Sequence, residues 1–368
     1  MQLKRLALLN FRNYTDAEIE FADGVNVIYG ENGAGKTSIL EAIHYLALTK
    51  SFRAGTDKHL VSNKADMCRV QGEFAGANGN TTRTTIAYAL DSGKHLTVNG
   101  QKMQIFSEYI GDVPVVLLHP ADLNLSQGGP QLRRRFLDVL LSQSSKVYLH
   151  SLMQYNRSLR QRNLLLQQPN CDVELLKSWE ENLISHGVAV IQKRQQAATE
   201  LSELVKQYYK ALSQKDHNGK IVYQCNVSAE NGQDLETVYR HLFAKKRAGE
   251  IEQGTTIVGP HRDDLLFLLN GKAMKTYASQ GEHKTWVISL KLAEFHHLEA
   301  QQHQAPILLF DDIFGELDAN RIRQMLEQLS TIGQVFVTTT SRNFFDKIQR
   351  FDTPTHYYHV QNGSMAPA

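Results

Sequence analysis

Cysteine is scarce in this chain, and the pattern of the few that occur excludes two kinds of site. Cys68, Cys171 and Cys225 are the three cysteines in 368 residues, and they are scattered rather than set in a C-x-x-C spacing. They offer neither a disulfide framework nor a zinc site, because both need closely organised thiols. This cysteine usage suits a reducing compartment.

Long apolar runs and a strong net charge are also missing. No apolar segment approaches the roughly 18 residues that a bilayer crossing needs. The first residues, Met1–Leu6, lead into an alternating, strand-like segment rather than a signal peptide. We therefore expect a cytoplasmic protein without a membrane partner. A net charge of only +2 restricts any nucleic-acid surface to a local patch.

The chain does contain a complete phosphate-binding loop. Residues 30–37 read G-E-N-G-A-G-K-T, which matches the pattern G-x-x-x-x-G-K-[ST]. A strand-like segment, Val25–Tyr29, precedes the loop, and apolar residues at helical spacing follow it. Strand, glycine-rich turn and helix N-terminus form the geometry that this motif needs. The alternative, a glycine-rich turn with an incidental lysine, is weaker in this context.

Each part of the loop has a task on a nucleoside triphosphate. Glycines let successive backbone N–H groups point at phosphate oxygens. Lys36 can reach the β- and γ-phosphates, and the Thr37 hydroxyl can ligate Mg²⁺. The sequence therefore predicts that the chain binds ATP or GTP. The residues predicted to bind the nucleotide are Gly30, Glu31, Asn32, Gly33, Ala34, Gly35, Lys36, Thr37 and Ser38.

Two adjacent carboxylates complete the predicted nucleotide site. The apolar strand pattern that begins at Ala305 ends in Asp311 and Asp312. Asp311 is expected to hold Mg²⁺ through its water shell, opposite Thr37. Asp312 is expected to orient or deprotonate the attacking water, which makes Asp312 and Lys36 the predicted catalytic pair. Two loop-capping aspartates are the alternative, which the upstream phosphate loop weakens.

The rest of the sequence predicts an α/β protein with a helical insertion. Alternating patterns over Cys68–Val98 indicate an antiparallel β layer beside the phosphate-loop core. From residue 130 to about 250, apolar residues recur every three or four positions, as in helices. We expect a head built from residues 1–120 and 255–368, with a helical arm lobe over residues 121–254. Residues after Gln361 are predicted to form an unstructured tail.

A second polar cluster distinguishes between classes of nucleotide-binding protein. Ser279, Gln280, Gly281 and Glu282 resemble the signature sequence of ABC-type ATPases, although a serine with a glutamate three residues later is also a plain capping box. In that class the signature contacts the ATP of another subunit. Glu316, Leu317 and Asp318 then follow the carboxylate strand as a D-loop-like turn. The order of loop, signature, carboxylate strand and D-loop is that of ABC ATPases.

Further blocks make the resemblance more specific. The blocks are Leu9–Tyr14, Gly30–Ser38, Gly128–Pro130, Arg133–Asp138, Val258–Asp264, Ser279–Gly281 and Phe310–Asp318. Together they resemble the RecF family, bacterial recombination mediators of the SMC/Rad50 branch of ABC ATPases, from end to end. The resemblance implies an ABC-type ATPase head with an inserted arm.

The same resemblance implies a function in DNA replication and repair. It implies ATP-dependent homodimerisation, binding to double-stranded and gapped DNA, and slow, DNA-stimulated ATP hydrolysis with Mg²⁺. The implied partners are RecR and RecO, with RecA loaded at gaps during recombinational repair and the SOS response.

Three departures from the wider ABC pattern concern the catalytic groups. Asp312 stands where transporters have a glutamate, and this shorter side chain fits slow hydrolysis. Thr338–Thr340 occupy the strand end where transporters have a switch histidine. His119 and Pro120 stand at the Q-loop position without a glutamine. The group that completes the metal and water shell therefore stays open at this stage.

The expected DNA surface rests on a basic segment. Residues 121–170 contain seven arginines and lysines against two aspartates, and clustered cations can neutralise phosphates. A solvated helix face, or pairing with nearby acids, is the alternative. Arg12 and Arg53, near the loop, could instead touch the nucleotide. The residues predicted to contact DNA are Arg133, Arg134, Arg135, Arg157 and Arg160.

Two other functional classes share part of this pattern. The motor subunit of a membrane transporter has the loop and the signature, but it normally keeps the catalytic glutamate and the switch histidine. A metabolite kinase has the loop, but that reading leaves Ser279–Glu282 and Glu316–Asp318 unexplained. An ATP-driven DNA clamp accounts for all of these segments.

Overall fold

The computed structural model describes residues 1–76, 79–213, 217–229, 233–313, 324, 333–340 and 354–368. The chain divides into two compact units. The first, here the head unit, comprises Met1–Leu123, Tyr208–Lys215 and Gln280–Ala368. The second, here the arm unit, comprises Asn124–Gln207 and Asp216–Ser279.

Strands dominate the head unit and helices dominate the arm unit. The described strands are β1 Gln2–Phe11, β2 Tyr14–Glu20, β3 Val25–Tyr29, β4 Met67–Ala75, β5 Thr81–Ala89, β6 Gly93–Val98, β7 Gln101–Met103, β8 Val115–Leu118, β9 Gly219–Gln224, β10 Asp264–Leu269, β11 Lys272–Ala273, β12 Ile307–Phe310, β13 Val335–Thr339, β14 Thr355–Gln361 and β15 Ser364–Pro367. The described α-helices are α1 Lys36–Leu48, α2 Asn124–Gln127, α3 Pro130–Ser144, α4 Lys146–Leu166, α5 Val173–Ser213, α6 Leu235–Gln253, α7 Met274–Tyr277 and α8 Gln280–Gln302.

A mostly parallel sheet organises the head unit. Its strand order is β15-β14-β3-β13-β12-β8, and all neighbours except β14 and β15 run parallel. Four of these strands, β3, β8, β12 and β13, are almost entirely buried, as continuous apolar strands of parallel sheets are. Because parallel strands end at one edge, the residues that follow β3, β12 and β13 come together there.

An antiparallel sheet lies in the same unit, with the order β2-β1-β4-β5-β6-β7. Its strands alternate buried and accessible residues, so one face enters the core. Leu6 and Phe74 of this sheet share one core with Ile43 of α1 and with Leu309 and Phe336 of the parallel sheet. The predicted α/β class, with an antiparallel layer beside the phosphate-loop core, is therefore confirmed.

The buried Gln334 amide joins the two sheets. Its Oε1 accepts the Leu3 N–H at 2.6 Å, and its Nε2 donates to the Leu3 carbonyl at 2.8 Å. The same Nε2 donates to the Ala22 carbonyl at 2.9 Å. A polar side chain that is fully buried is stable here because both ends of its amide are hydrogen-bonded.

The prediction of an unstructured tail after Gln361 is wrong. Ser364–Pro367 form β15, which pairs antiparallel with β14. Asn362 and Gly363 turn the chain with φ values of 49° and 73°. This Asn-Gly turn between two strands is a strong hairpin signal, so the sequence did contain the evidence.

The arm unit is larger and less uniformly helical than predicted. It ends at Ser279, whereas the helical lobe was predicted to end at residue 254. The added part contains β10 and β11, which form a three-stranded sheet with β9. Leu265, Phe267 and Leu269 alternate along β10 and are buried, and this period of two gives a strand rather than a helix.

Two sequence blocks meet inside the arm unit. The Arg133 guanidinium makes two hydrogen bonds to the Asp264 carboxylate, at 2.8 Å from Nε and 2.9 Å from Nη2. Arg194, from α5, donates to the Pro260 carbonyl at 2.8 Å and to Asp138 Oδ1 at 2.7 Å. These buried cations are stable because each is paired and hydrogen-bonded.

His261 is part of the same interior. Its Nδ1 lies 2.6 Å from the Tyr155 hydroxyl, and its Nε2 lies 3.0 Å from the Thr256 carbonyl. This pairing fits a neutral imidazole that accepts at Nδ1 and donates at Nε2. Burial lowers the pKa of His261 from 6.5 to about 4.

No helix in the described part of the chain combines the length and the apolarity that a bilayer crossing requires.

Acid should destabilise the protein partly through His261. Its pKa is lower in the folded than in the unfolded chain, so its stabilising contribution is complete above about pH 6.5 and is lost as the pH falls towards 4. The full loss is on the order of 3 kcal/mol. Chemical denaturation between pH 4 and pH 7 should show a shallower pH dependence for His261→Gln, whose amide can donate and accept in the same places.

His241→Gln is the matched control, because His241 is exposed on α6 of the same unit. An identical pH profile for wild type and His261→Gln would contradict the buried, neutral state of His261.

Candidate nucleotide-binding site

The phosphate loop connects β3 to α1, and Lys36 is the first residue of the helix. Close contacts make glycine necessary at both ends of the loop. A Cβ on Gly30 would lie 2.3 Å from the Val360 carbonyl oxygen. A Cβ on Gly35, where φ is 120°, would lie 2.5 Å from Asn13 Nδ2. The path of the loop therefore depends on residues that lack a side chain.

Two hairpins hold the loop from outside. Asn13, in the turn between β1 and β2, donates from Nδ2 to the Ala34 carbonyl at 2.9 Å. Gly363, in the turn between β14 and β15, donates its N–H to the same carbonyl at 3.1 Å. The Tyr14 hydroxyl donates to the Gly35 carbonyl at 3.2 Å. The loop is thus fixed before any ligand contacts it.

Lys36 lies inside the loop and is 6% exposed. Its Nζ donates to the carbonyls of Gly30 and Glu31 at 2.8 and 2.9 Å. Burial lowers the pKa of Lys36, while the charges of Asp312 and Asp311 act in the opposite direction. An ammonium group held among carbonyl oxygens can exchange these acceptors for phosphate oxygens.

The carboxylate of Asp311, immediately after β12, is hydrogen-bonded to residues from two other elements. Its Oδ1 accepts hydrogen bonds from the Thr37 hydroxyl at 2.8 Å and from the Thr338 hydroxyl at 2.9 Å. The Thr338 oxygen also accepts the Asp312 N–H at 2.9 Å. Thr338, buried in β13, therefore holds both aspartates, a role that the sequence alone did not reveal. It lies near the strand end where transporters have the switch histidine.

The two aspartates have different surroundings. Asp311 is 7% exposed, whereas Asp312 is exposed. Asp312 also has a φ of 48°, a left-handed conformation that few residues other than glycine adopt. Such backbone conformations persist where the surrounding structure holds them, and here the Thr338 hydroxyl holds the Asp312 amide. The arrangement presents one carboxylate to the interior and one to the solvent.

The oxygens of Thr37 and Asp311 fit a magnesium ion. They are hard donors 2.8 Å apart, and Mg²⁺ is held by such oxygens directly or through the waters that it keeps. Among the residues that the structure describes, no group of three or more histidines, cysteines, aspartates or glutamates could hold a metal. Mg²⁺ commonly takes one or two protein oxygens and completes its shell with phosphates and water.

A buried glutamate that no sequence motif indicated lies beside the loop. Glu41 of α1 is fully buried, and its carboxylate accepts two hydrogen bonds from Arg12, at 2.8 and 2.6 Å. Arg12 also donates to the His59 carbonyl at 2.8 Å, while Arg53 Nη1 lies 3.9 Å from Glu41. These contacts fix the Arg12 guanidinium beside the loop. The contacts of Arg12 and Arg53 with the nucleotide stay predictions.

The signature-like residues lie at the start of α8. Ser279 and Gln280 are exposed, while Gly281 and Glu282 are half-buried. An exposed helix start can present its N–H groups to an anion on another molecule. The predicted D-loop residues Glu316, Leu317 and Asp318 lie outside the described residues.

The residues predicted to contact DNA fall into two groups. Arg133 is 6% exposed and bound to Asp264, so its predicted DNA contact is not supported. Arg134 is half-buried and donates to the Asp263 carbonyl. The exposed residues of the set are Arg135, Arg157 and Arg160. The sequence alone could not show which of these arginines are buried. The partner of Arg133, Asp264, lies 131 residues further along the chain.

Comparisons of sequence agree with these features. A family model described as the RecF/RecN/SMC N-terminal domain matches residues 2–365. The DNA replication and repair protein RecF of Halalkalibacterium halodurans is 39% identical over 372 residues, covering 99% of each chain. The protein of the same name from Salinibacter ruber is 36% identical, covering 97% of this chain and 89% of the relative.

Comparisons of structure lead to the same group. A solved structure of the recombination mediator protein RecF with ATP in the RecFOR pathway has a TM-score of 0.90 and 29% identity, covering 100% of this chain and 97% of that one. An Smc head bound to the C-terminal winged-helix domain of ScpA has a TM-score of 0.57 at 16% identity, covering 100% of this chain and 97% of that one, which is a likeness of fold. The head unit thus has the fold of ABC-type ATPase heads. The chain belongs to the RecF family, within the wider group of RecF, RecN and SMC proteins.

Proposed function

We propose that this protein is an ATP-driven switch that acts on DNA during replication and repair. The observation that carries the proposal is the 2.8 Å hydrogen bond between the Thr37 hydroxyl and Asp311. It joins the end of the phosphate loop to a carboxylate from a distant part of the chain. The names of the relatives, DNA replication and repair protein RecF, support the cellular role.

In this proposal the loop takes the triphosphate of ATP. Lys36 exchanges the carbonyls of Gly30 and Glu31 for the β- and γ-phosphate oxygens. Loop N–H groups and the N-terminus of α1 stabilise the remaining negative charge. Thr37 and Asp311 would hold Mg²⁺, which neutralises charge on the phosphates when bound. The solved RecF structure with ATP supports this assignment of the ligand.

Asp312 is the proposed catalytic base. Its exposed carboxylate can orient a water and accept a proton from it, while its backbone stays bound to Thr338. An aspartate reaches less far than the glutamate of transporters, so we expect slow hydrolysis. Stimulation of this hydrolysis by DNA is part of the proposal.

The proposed switch is the association of two copies. Ser279–Glu282 at the start of α8 would contact the γ-phosphate of ATP held by a second copy, and Glu316–Asp318 would line the same interface. ATP then favours the dimer and its hydrolysis favours separation, because the nucleotide binds the two states with different affinity. The dimer would close on double-stranded and gapped DNA.

The proposed partners follow from the family. A solved relative is described as a recombination mediator of the RecFOR pathway. We infer that this protein is cytoplasmic, that it cooperates with RecR and RecO, and that it helps load RecA at gaps in recombinational repair and the SOS response. The predicted DNA contacts of the exposed Arg135, Arg157 and Arg160 stay predictions.

Lys36→Ala should weaken ATP binding about 100-fold, because charged hydrogen bonds to the phosphates are lost. Titration with a fluorescent ATP analogue measures the affinity. Lys50→Ala is the control, since Lys50 is exposed just beyond the end of α1. Equal affinities for wild type, Lys36→Ala and Lys50→Ala would show that the loop does not bind the nucleotide.

Asp312→Asn should keep ATP binding but slow hydrolysis about 100-fold, the usual size of a general-base contribution. The ATP-bound dimer should consequently last longer. Light scattering with Mg-ATP and duplex DNA measures the dimer, with Asp91→Asn, at an exposed turn, as control. A strictly monomeric wild type that hydrolyses ATP at full speed would contradict the switch.

Thr338→Val should leave the affinity for ATP within about threefold and lower the hydrolysis rate about tenfold, because the hydroxyl that holds both aspartates is lost. Thr338→Ser retains a hydroxyl and should restore most of the rate. Steady-state hydrolysis and ATP titration on the same preparations separate the two effects. If valine and serine variants hydrolyse ATP equally, Thr338 does not organise the catalytic groups.

A further inference from the structure

The outward side of α4 combines basic and apolar side chains. Six of its exposed residues, at positions 146, 150, 153, 157, 160 and 164, recur every three or four positions and therefore share one side of the helix. Val147 and Asn156 are exposed on the two flanks of this stripe. This surface is called the α4 face here, and it consists of Lys146, Val147, His150, Met153, Asn156, Arg157, Arg160 and Leu164. The opposite side, which includes Tyr155 and Arg162, is buried in the arm unit.

The α4 face carries basic and apolar side chains but no acidic ones. The 21 residues of α4, all of them described, include no aspartate or glutamate. Three large apolar residues are nevertheless accessible on it: Val147 is 72% exposed, Leu164 is 52% exposed and Met153 is 48% exposed. Accessible apolar side chains that share a surface with basic ones suit contact with a molecule that carries both apolar and acidic groups.

A cavity of about 220 Å³ continues this surface at the N-terminal end of α4. Val147 belongs both to the α4 face and to the cavity wall. The rest of the wall comes from α4 and α5 and consists of Tyr148, Ser151, Ala189, Gln192, Lys193 and Gln196. A cavity with a partly apolar lining and a lysine at its wall can take a large apolar side chain beside an acidic one.

Three occupants fit this surface poorly. DNA contacts of this kind go to phosphates through polar and charged side chains, and they would leave Met153 and Leu164 without apolar partners. A second copy placed symmetrically on the α4 face would bring Arg157 and Arg160 against the same cations. Helices that lie on a membrane keep their charged and apolar residues on separate faces. On α4, Arg157 and Arg160 lie between Met153 and Leu164, so the apolar residues could not enter a membrane without the arginines.

We propose that the α4 face is a docking site for an acidic, amphipathic segment of a partner protein. Carboxylates of that segment pair with Arg157 and Arg160, and its apolar residues cover Met153 and Leu164. A larger apolar residue enters the cavity beside Val147. Methionine and arginine are both enriched in protein interfaces. From Val147 to Leu164 the face spans about 26 Å, the length of a short helix.

The proposal is independent of the nucleotide site and can be tested without ATP. Full-length protein is used to select from a displayed library of random peptides as long as the α4 face. Two double variants remove the proposed contacts: Met153→Ser with Leu164→Ser, and Arg157→Glu with Arg160→Glu. Lys245→Glu with Lys246→Glu, on exposed positions of α6, gives the same charge change elsewhere in the arm unit.

We expect selected peptides to combine acidic residues with large apolar ones. Both double variants should bind a synthetic copy of a selected peptide at least tenfold more weakly than wild type. The control variant should change this affinity less than twofold. Added salt should weaken binding to the wild type. Because the altered side chains are exposed, thermal unfolding and ATP binding should stay unchanged, which separates this test from the proposed function.

Several results would overturn the proposal. The library could yield no peptide, peptides without acidic residues, or peptides that bind both variants as well as wild type. Loss of binding to a short DNA duplex in the arginine variant alone would make this a DNA surface. Binding to vesicles of equal parts phosphatidylglycerol and phosphatidylcholine, lost in both variants, would make it a membrane surface.

Discussion

The position of β13 between β3 and β12 is the constraint on which the candidate site depends. β13 pairs in parallel with both, with Thr338 opposite Ile28 and Val337 opposite Phe310. This register brings the Thr338 hydroxyl to the Asp311 carboxylate, and the same edge brings in the start of α1 with Thr37. A slip of one residue would turn the Thr338 side chain to the other face of the sheet.

The contrast between the two aspartates follows from this constraint. Asp311 is buried like the strand residues before it. Its carboxylate is fixed by hydrogen bonds from two hydroxyl groups, those of Thr37 and Thr338. Asp312 has left the strand through a left-handed turn, and its carboxylate reaches solvent. In the proposed function these neighbours take separate chemical tasks: Asp311 holds a cation and Asp312 orients a water molecule.

Sequence predicted local chemistry better than distant pairing. The phosphate loop, the antiparallel layer and the carboxylate strand each show a short-range pattern, and the structure has the predicted architecture. Pairings such as Arg133 with Asp264 and Arg12 with Glu41 link remote segments, so no local pattern indicates whether such an arginine is buried or exposed. Thr338 was noted only for replacing a histidine, because its two hydrogen bonds depend on strand order.

The hairpin of β14 and β15 has a consequence for the order in which the molecule is made. Val360 and Gly363 lie against the phosphate loop, yet they are synthesised long after it. A nascent chain that has left the ribosome only as far as β13 already carries Lys36, Asp311 and Thr338, but its loop lacks this supporting wall. Nucleotide capture is therefore expected to wait until translation has passed residue 363, so that incomplete polypeptides do not sequester ATP.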